Sequence, residues 1–129
     1  MLRVFVLEDS SERRIALSNV IRFPADGAFA TWAISRASAE RLWSPPYDIF
    51  LLDNDLGGEG EETQGGLERR NTGLHFVRTF IHDHQIEDTT VICHSLNYPA
   101  RMEICRRLPN AHSIPFSPQL LHYLRDEID

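Results

Sequence analysis

Short apolar runs alternate with amphipathic segments along this chain, and the alternation predicts its secondary structure. Compact runs of aliphatic, β-branched and aromatic residues are typical of strands, and a continuous apolar run indicates a strand that is covered on both faces. Five strands are predicted in this way: Leu2–Leu7, Phe29–Ile34, Tyr47–Asp53, Thr89–His94 and His112–Phe116. The third run reads YDIFLLD and gives the strongest signal, because its residues Ile49–Leu52 are apolar without interruption and an acid follows them.

Each predicted strand is followed by a segment whose apolar residues recur at helical spacing. The five helices follow Asp9-Ser10, span Ser35–Trp43, follow Thr72, span Tyr98–Leu108 and follow Ser117-Pro118. Their starts carry residues that satisfy free backbone N–H groups, such as Thr72, or that suit a first turn, such as Pro99.

One predicted loop, residues 54–72, is much longer than the others. It holds five of the seven glycines and a group of glutamates, Glu59, Glu61 and Glu62. Loops longer than about 12–15 residues are usually functional or mobile. The role of this loop stays open at the level of the sequence.

Strict alternation of strands and helices predicts an α/β fold with right-handed crossovers. The expected architecture is a doubly wound, five-stranded parallel sheet of the flavodoxin type, with helices on both faces. The 129 residues fit one domain, residues 1–129, with a core of its own. Ligands of such sheets bind outside the carboxyl ends of the strands, so polar residues at strand ends are the first candidates for a site.

Composition and charge restrict the kinds of ligand that the protein is expected to bind. The chain is 42% apolar and 25% charged, which is ordinary for a globular protein and excludes intrinsic disorder. A net charge of −6 argues against binding to a long nucleic-acid duplex, which requires many phosphates to be neutralised. A small pocket for a phosphorylated ligand remains compatible with this charge. All thirteen basic residues are arginine, and the chain contains no lysine.

Three features predict a cytoplasmic location. The apolar runs are far shorter than the 18 or so residues that span a membrane, so no membrane association is expected. The first residues, MLRVFVLEDS, lack the long apolar region of a signal peptide. Cys93 and Cys105 are expected to be two reduced, buried thiols.

Acidic residues follow two of the predicted strands. Glu8-Asp9 comes after the first strand, and Asp53 and Asp55 come at the end of the third. Because the first and third strands are neighbours in a doubly wound sheet, these carboxylates are expected to converge. Clustered carboxylates suit Mg²⁺ or another divalent cation. The alternative is that Asp9 caps the first helix and Asp53 begins a turn.

The fourth strand ends in His94-Ser95-Leu96-Asn97. His94 is a candidate general acid or base, since histidine titrates near neutrality. Ser95 is a candidate donor to a phosphoryl oxygen. The alternatives are that Asn97 caps the next helix and that His94 is a structural hydrogen-bonding residue.

These residues resemble the receiver domain of two-component response regulators over essentially the whole chain. The resemblance implies the strand order 2-1-3-4-5, metal binding by Glu8 and Asp9, and a phospho-accepting position at Asp53. Ser95 matches the family's phosphoryl-binding Ser/Thr. The family's lysine before a proline is replaced by Ser117, and we name Arg101 as the nearest candidate for a substitute cation.

A narrower resemblance rests on three elements in order: LDNDLGG, Thr72-Gly73 and His94-Ser95-x-Asn97. They are similar to the motifs of the cyclic-phosphate-processing receiver family. This resemblance implies action on cyclic phosphate ends of RNA or of nucleotides, or on related phosphoesters. The expected partner is therefore a phosphorylated small molecule or an RNA end, and the receiver-like fold also allows a homodimer.

The hypothesis is a metal-dependent phosphoesterase or cyclic phosphodiesterase. Mg²⁺ would be held by Glu8, Asp9 and Asp53, with His94, Asp53 and Asp55 as catalytic residues and Ser95, Asn97, Thr72 and Gly73 as phosphate-binding residues. Two alternatives stay open: a response-regulator receiver that is phosphorylated on Asp53, and a receiver-like binding module without catalysis. Under the favoured hypothesis, one shallow pocket is expected among Glu8, Asp9, Asp53, Asp55, His94 and Asn97.

Overall fold

A computed structural model describes residues 2–21, 28–56, 71–108 and 110–128. The predicted alternation of strands and helices is confirmed. The strands are β1 (Leu2–Leu7), β2 (Ala28–Ala33), β3 (Ile49–Leu52), β4 (Thr90–Cys93) and β5 (Ala111–Ser113). The helices are α1 (Ser11–Ile21), α2 (Arg36–Leu42), α3 (Gly73–Phe80), α4 (Tyr98–Arg107) and α5 (Pro118–Ile128), and a 3-10 turn covers Asp83–Gln85.

The five strands form one parallel sheet in the order β2-β1-β3-β4-β5, as predicted. Side chains alternate between the two faces of a strand. One face packs against α1 and α5, with residues such as Val6, Leu51 and Leu120 in its core. The other face packs against α2, α3 and α4 around the aromatic residues Phe50 and Phe76. Both sheet faces are therefore covered, which explains the uninterrupted apolar character of β3.

The prediction of the fifth strand was wrong at its boundaries. β5 ends at Ser113, whereas the apolar pattern had placed the strand at His112–Phe116. Ile114 and Phe116 still donate backbone hydrogen bonds to β4 and to His94, and both pack against the core. Their apolar character comes from this packing, so the pattern alone does not mark where the strand ends. β3 and β4 are also shorter than predicted, and Asp53 and His94 lie just beyond them.

The predictions for the long loop, for the two cysteines and for membrane-spanning segments have separate outcomes. Residues 57–70 of the predicted loop 54–72 lie outside the described residues. Both cysteines are free thiols, but Cys105 is half-buried rather than buried. Burial raises the pKa of the Cys93 thiol to about 12, which makes it unreactive. Within the described residues, every helix falls short of the length and apolar character that crossing a membrane requires.

Candidate functional site

Glu8, Asp53 and His94 stand side by side at the carboxyl edge of the sheet. Each continues the backbone hydrogen bonding one residue past its strand. Glu8 N–H donates to the Ala33 carbonyl (2.9 Å), Asp53 N–H to Leu7 (2.9 Å) and His94 N–H to Leu52 (3.0 Å). The backbone at each of these three positions is thereby fixed by its neighbouring strand.

The same face of the sheet carries all three side chains. Along β1 the residues before Glu8 on this face are Val4 and Val6, which belong to the core under α1 and α5. Contacts agree with this alternation, because the His94 ring lies 6.1 Å from the ring of Phe116, just before α5. The helices α1 and α5 therefore border the site.

Glu8, Asp9 and Asp53 form a cluster of carboxylates in which one oxygen from each residue lies within 4.8 Å of the other two. Glu8 is fully buried, Asp53 is 2% exposed and Asp9 is half-buried. Mg²⁺ binds carboxylate oxygens at about 2.1 Å, so oxygens this close to one another are near enough for the three residues to hold one cation after side-chain adjustment. Three carboxylates, two of them buried, are a donor set that suits a hard divalent cation. The alternative that Asp9 caps α1 was wrong, because the Ser10 hydroxyl accepts from Arg13 N–H (3.3 Å).

His94 lies beneath this cluster and contacts Glu8. Its Nε2 is 2.9 Å from Glu8 Oε1, and both side chains are fully buried. A carboxylate only accepts hydrogen bonds, so the ring proton lies on Nε2 when Glu8 is ionised. Nδ1 is buried and has no hydrogen-bond partner among the described residues. The Glu8 carboxylate is therefore oriented by His94 at Oε1 and by the Ser10 N–H, which donates to Oε2 (3.0 Å).

The electrostatics of the cluster differ from one carboxylate to the next. Burial favours the protonated form of Glu8, but the hydrogen bond with His94 and the positive charges of His94 and Arg13 outweigh it and lower its pKa. Burial raises the pKa of Asp53 to about 6, and the charge of Glu8 adds to this shift. The pKa of Asp9 is raised by the same two causes. Without a cation, Asp53 and Asp9 therefore hold their protons more tightly than ordinary aspartates do, because the pKa of each is raised.

These shifts predict opposite pH trends for stability and for metal binding. Asp53 holds its proton more tightly in the folded than in the unfolded chain, so ionising it costs folding free energy. We expect the metal-free protein to lose about 1 kcal/mol of stability from pH 5 to pH 7, while affinity for Mg²⁺ rises about tenfold. Chemical denaturation and calorimetric titration at pH 5, 6 and 7 measure both. Asp53→Asn should flatten both trends, and a metal affinity independent of pH would contradict the prediction.

Arg13 is the cation of the cluster, and the sequence analysis missed it. Its Nη1 lies 3.7 Å from Glu8 Oε1 and 3.6 Å from Asp53 Oδ2. Arg101, the candidate named from the sequence, donates to the Ser95 carbonyl (2.6 Å) and to the Ser113 hydroxyl (2.6 Å). One available signal was the position of Arg13, one helical turn after Asp9 in a chain whose cations are all arginine.

Asp55 belongs to a second group, which adjoins the cluster. Its Oδ1 accepts from Asn54 Nδ2 (3.0 Å) and from Asn97 Nδ2 (3.3 Å). Asn97 caps α4 through Ala100 N–H, and Thr72 caps α3 through His75 N–H. The predicted caps are confirmed. The LDND, Thr-Gly and HSxN elements thus meet, and their side chains join the loop after β3 to the starts of α3 and α4.

Ser95 and Gly73 complete this framework. Ser95 is fully buried, and its hydroxyl accepts from Asn97 N–H (3.0 Å). Gly73 packs so closely on the loop that an added Cβ would lie 2.1 Å from the Asp53 carbonyl oxygen. Only glycine, which has no side chain, permits this approach. The Thr-Gly element thereby sets the position of the backbone that carries Asp53.

A groove of ≈390 Å³ begins at the second group and runs between α3 and α4. It is lined by Asn54, Thr72, Leu74, His75, Arg78, Asn97, Pro99, Ala100 and Glu103. The six residues expected to surround one pocket therefore divide into two adjoining groups. Glu8, Asp9 and Asp53 cluster above the buried His94, while Asp55 and Asn97 lie beside the groove.

Comparisons with known proteins agree with this description. The family model of the cyclic-phosphate processing receiver domain matches residues 6–110. No curated protein gives a significant match.

Three solved structures show the fold. The phosphorylated cyanobacterial phytochrome response regulator RcpA has a TM-score of 0.70 at 15% identity, over 98% of this chain and 90% of its own. The Mn²⁺-bound response regulator Rcp1 has a TM-score of 0.67 at 14% identity, over 98% and 91%. The response regulator TrrA of Thermotoga maritima, in complex with Mg²⁺-BeF, has a TM-score of 0.66 at 17% identity, over 98% of both chains.

The strand-end acids and the joined LDND, Thr-Gly and HSxN elements lie within residues 6–110, which the family model matches. The likeness to the solved structures extends over nearly the whole chain. This chain belongs to the cyclic-phosphate processing receiver domain family.

Proposed function

We propose that this protein binds Mg²⁺ or a similar divalent cation at Glu8, Asp9 and Asp53 and opens cyclic phosphate esters of nucleotides or RNA ends. The observation that carries the proposal is the cluster of three carboxylates, with oxygens within 4.8 Å, at the carboxyl edge of the sheet. The cation would supply Lewis acidity to a phosphoryl oxygen and bring the ester to the strand ends.

Each residue of the site would have a separate role in binding or in proton transfer. His94 holds Glu8 in place through the contact of 2.9 Å, and it therefore acts as a positioning residue. Asp55 is exposed and oriented by Asn54 and Asn97, so it is placed to hold and activate a water molecule. Asp55 would take a proton from the water as its oxygen bonds to phosphorus, one ring P–O bond would break, and that proton would pass to the leaving ring oxygen.

The groove between α3 and α4 would receive the rest of the substrate. Its volume of ≈390 Å³ lies within the range of small-molecule sites, and it starts at Asn97 next to Asp55. Leu74 and Pro99 offer apolar surface there, and Arg78 offers a positive charge. A nucleoside attached to the reacting phosphate fits this combination better than inorganic phosphate does.

Incubation with a 2′,3′-cyclic nucleotide and Mg²⁺ or Mn²⁺ tests the activity, with ring opening followed by ³¹P NMR. We expect turnover that depends on the metal and falls at least about 100-fold in Asp53→Asn, because one of three carboxylate ligands loses its charge. Asp88→Asn is the matched control, since Asp88 is exposed in a turn outside both groups. If the protein binds metal and nucleotide but shows no turnover, the proposed activity is wrong and the protein is a binding module.

A second function, phosphorylation of Asp53, is favoured by the position of this residue directly after β3. Its Oδ2 lies 3.6 Å from Arg13, which is a suitable neighbour for a phosphoryl group. Intact-mass measurement after treatment with a small phosphodonor and Mg²⁺ separates the two functions. A gain of one phosphoryl group that is absent in Asp53→Asn supports phosphorylation, and an unchanged mass removes it.

A further inference from the structure

Arg13 contacts the carboxylate cluster without being bound to it by hydrogen bonds. The distances from its Nη1 to Glu8 and to Asp53, 3.7 and 3.6 Å, are ion-pair distances that exceed a hydrogen bond. The guanidinium has five N–H donors in a plane. The positive charge of Arg13 therefore stabilises the carboxylates of Glu8 and Asp53. Its N–H groups make no hydrogen bond with these carboxylates and can donate to another ligand.

Two further features keep the guanidinium at the mouth of the site. Its Cζ lies 5.5 Å from the centre of the Phe116 ring, a cation–π contact that orients the side chain. The side chain is 27% exposed, whereas the carboxylates it faces are almost fully buried. Arg13 thus stands between the buried acids and the solvent, on the path by which a phosphoryl group would approach Asp53.

The neighbouring arginines, Arg14 and Arg101, donate hydrogen bonds to groups other than the carboxylates of the cluster. Arg14 donates to the backbone carbonyls of Glu8 (3.1 Å) and Asp9 (2.7 Å), and Arg101 donates to Ser95 and Ser113. Among the salt bridges of the described residues, Arg13 is the one arginine paired with the carboxylates of this cluster.

We propose that Arg13 is an exchangeable counter-ion: it neutralises Glu8 and Asp53 in the metal-free protein, gives way to the divalent cation, and then binds the phosphoryl oxygens of the ligand. The first half follows from Coulomb's law, because Arg13 and the metal compete for the same two carboxylates. The second half follows from guanidinium chemistry, since a planar fork of donors binds phosphoryl oxygens in pairs. The inference rests on the proposed metal and phosphoester binding.

The proposal predicts effects of opposite sign for a single substitution. Arg13→Gln should bind Mg²⁺ about three- to tenfold more tightly, because the competing cation is gone. The same variant, saturated with Mg²⁺, should bind inorganic phosphate about tenfold more weakly, because the charge-assisted donors are gone. Calorimetry measures the metal affinity, and an NMR titration measures the phosphate affinity. A residue that only supports the fold would move both affinities in the same direction.

Two variants serve as controls. Arg13→Lys keeps the charge and should stay within about threefold of wild type in Mg²⁺ affinity while losing part of the phosphate affinity. Arg41→Gln removes the same charge from an exposed position on α2 and should change neither affinity.

Unchanged affinities in a folded Arg13→Gln, or a loss of Mg²⁺ affinity, overturn the proposal. Wild-type protein that binds neither Mg²⁺ nor phosphate overturns it together with the proposed function. Wild-type binding with an unaffected Arg13→Gln overturns the role of Arg13 alone.

Discussion

Replacing Asp53 with asparagine is expected to stabilise the metal-free fold by about 2 kcal/mol at pH 7.5 while lowering the affinity for Mg²⁺ at least about 100-fold. The stabilisation follows from burial, which together with the charge of Glu8 raises the pKa of Asp53 to about 6. At pH 7.5 the folded protein must ionise a group that prefers to be protonated, and asparagine removes this cost. The side-chain oxygen of asparagine still accepts the Asn54 N–H that Asp53 Oδ1 accepts at 2.8 Å.

The loss of metal affinity has an electrostatic cause. A divalent cation in this cluster would be held by three negative charges, two of them buried where charges interact strongly. The neutral amide oxygen of asparagine is a weaker ligand for Mg²⁺ than a carboxylate. Denaturant unfolding without metal and calorimetric titration with Mg²⁺ measure the two effects. Asp88→Asn should move neither, and an Asp53→Asn protein that is less stable than wild type would contradict the electrostatic account.

Gly73→Ala is expected to destabilise the protein by about 3 kcal/mol, since the new Cβ would lie 2.1 Å from the Asp53 carbonyl oxygen. The atoms in its way belong to the backbone of Asp53 and Asn54, which cannot rotate aside as a side chain does. Relief requires that α3 and the loop after β3 move apart. This would strain the hydrogen bond that Gly73 N–H donates to the Asn54 carbonyl (2.9 Å).

The same displacement should weaken metal binding about tenfold, because it moves the backbone from which the Asp53 carboxylate extends. Thr79→Ala, near the exposed end of α3, is the control and should change stability by less than about 0.5 kcal/mol. Circular dichroism melts and Mg²⁺ titration of both variants give the comparison. Wild-type stability and metal affinity in Gly73→Ala would show that the close approach does not constrain the site.

The sequence determined the elements and the edge of the sheet at which the site lies. Periodicity reports which face of a strand or helix is covered, and this information is local. The continuous run before Asp53 therefore indicated a strand covered on both faces, and its terminal acid indicated a strand end. Alternation of strands and helices then left few possible topologies. The observed order β2-β1-β3-β4-β5 is the one that the receiver resemblance implied.

The tertiary structure alone decided which residues contact one another at the strand ends. The packing of α1 on the sheet brings the Arg13 side chain to the carboxylates of Glu8 and Asp53, while the neighbouring Arg14 donates to the backbone carbonyls of Glu8 and Asp9. His94 and Glu8 are 86 residues apart in sequence, and the strand order brings His94 Nε2 to 2.9 Å from Glu8 Oε1 as a buried partner of this carboxylate.

Gly73 and Asn97 are two further residues whose contacts with distant parts of the chain could not be predicted from the sequence. Glycine is frequent in turns, so its presence after Thr72 did not reveal that it packs against the Asp53 carbonyl. Asn97 was predicted as a cap, but its bond to Asp55 spans 42 residues of sequence. Periodicity encodes the direction in which a side chain points relative to its own element. The partner that it meets depends on how separate elements pack, and only the folded chain fixes that.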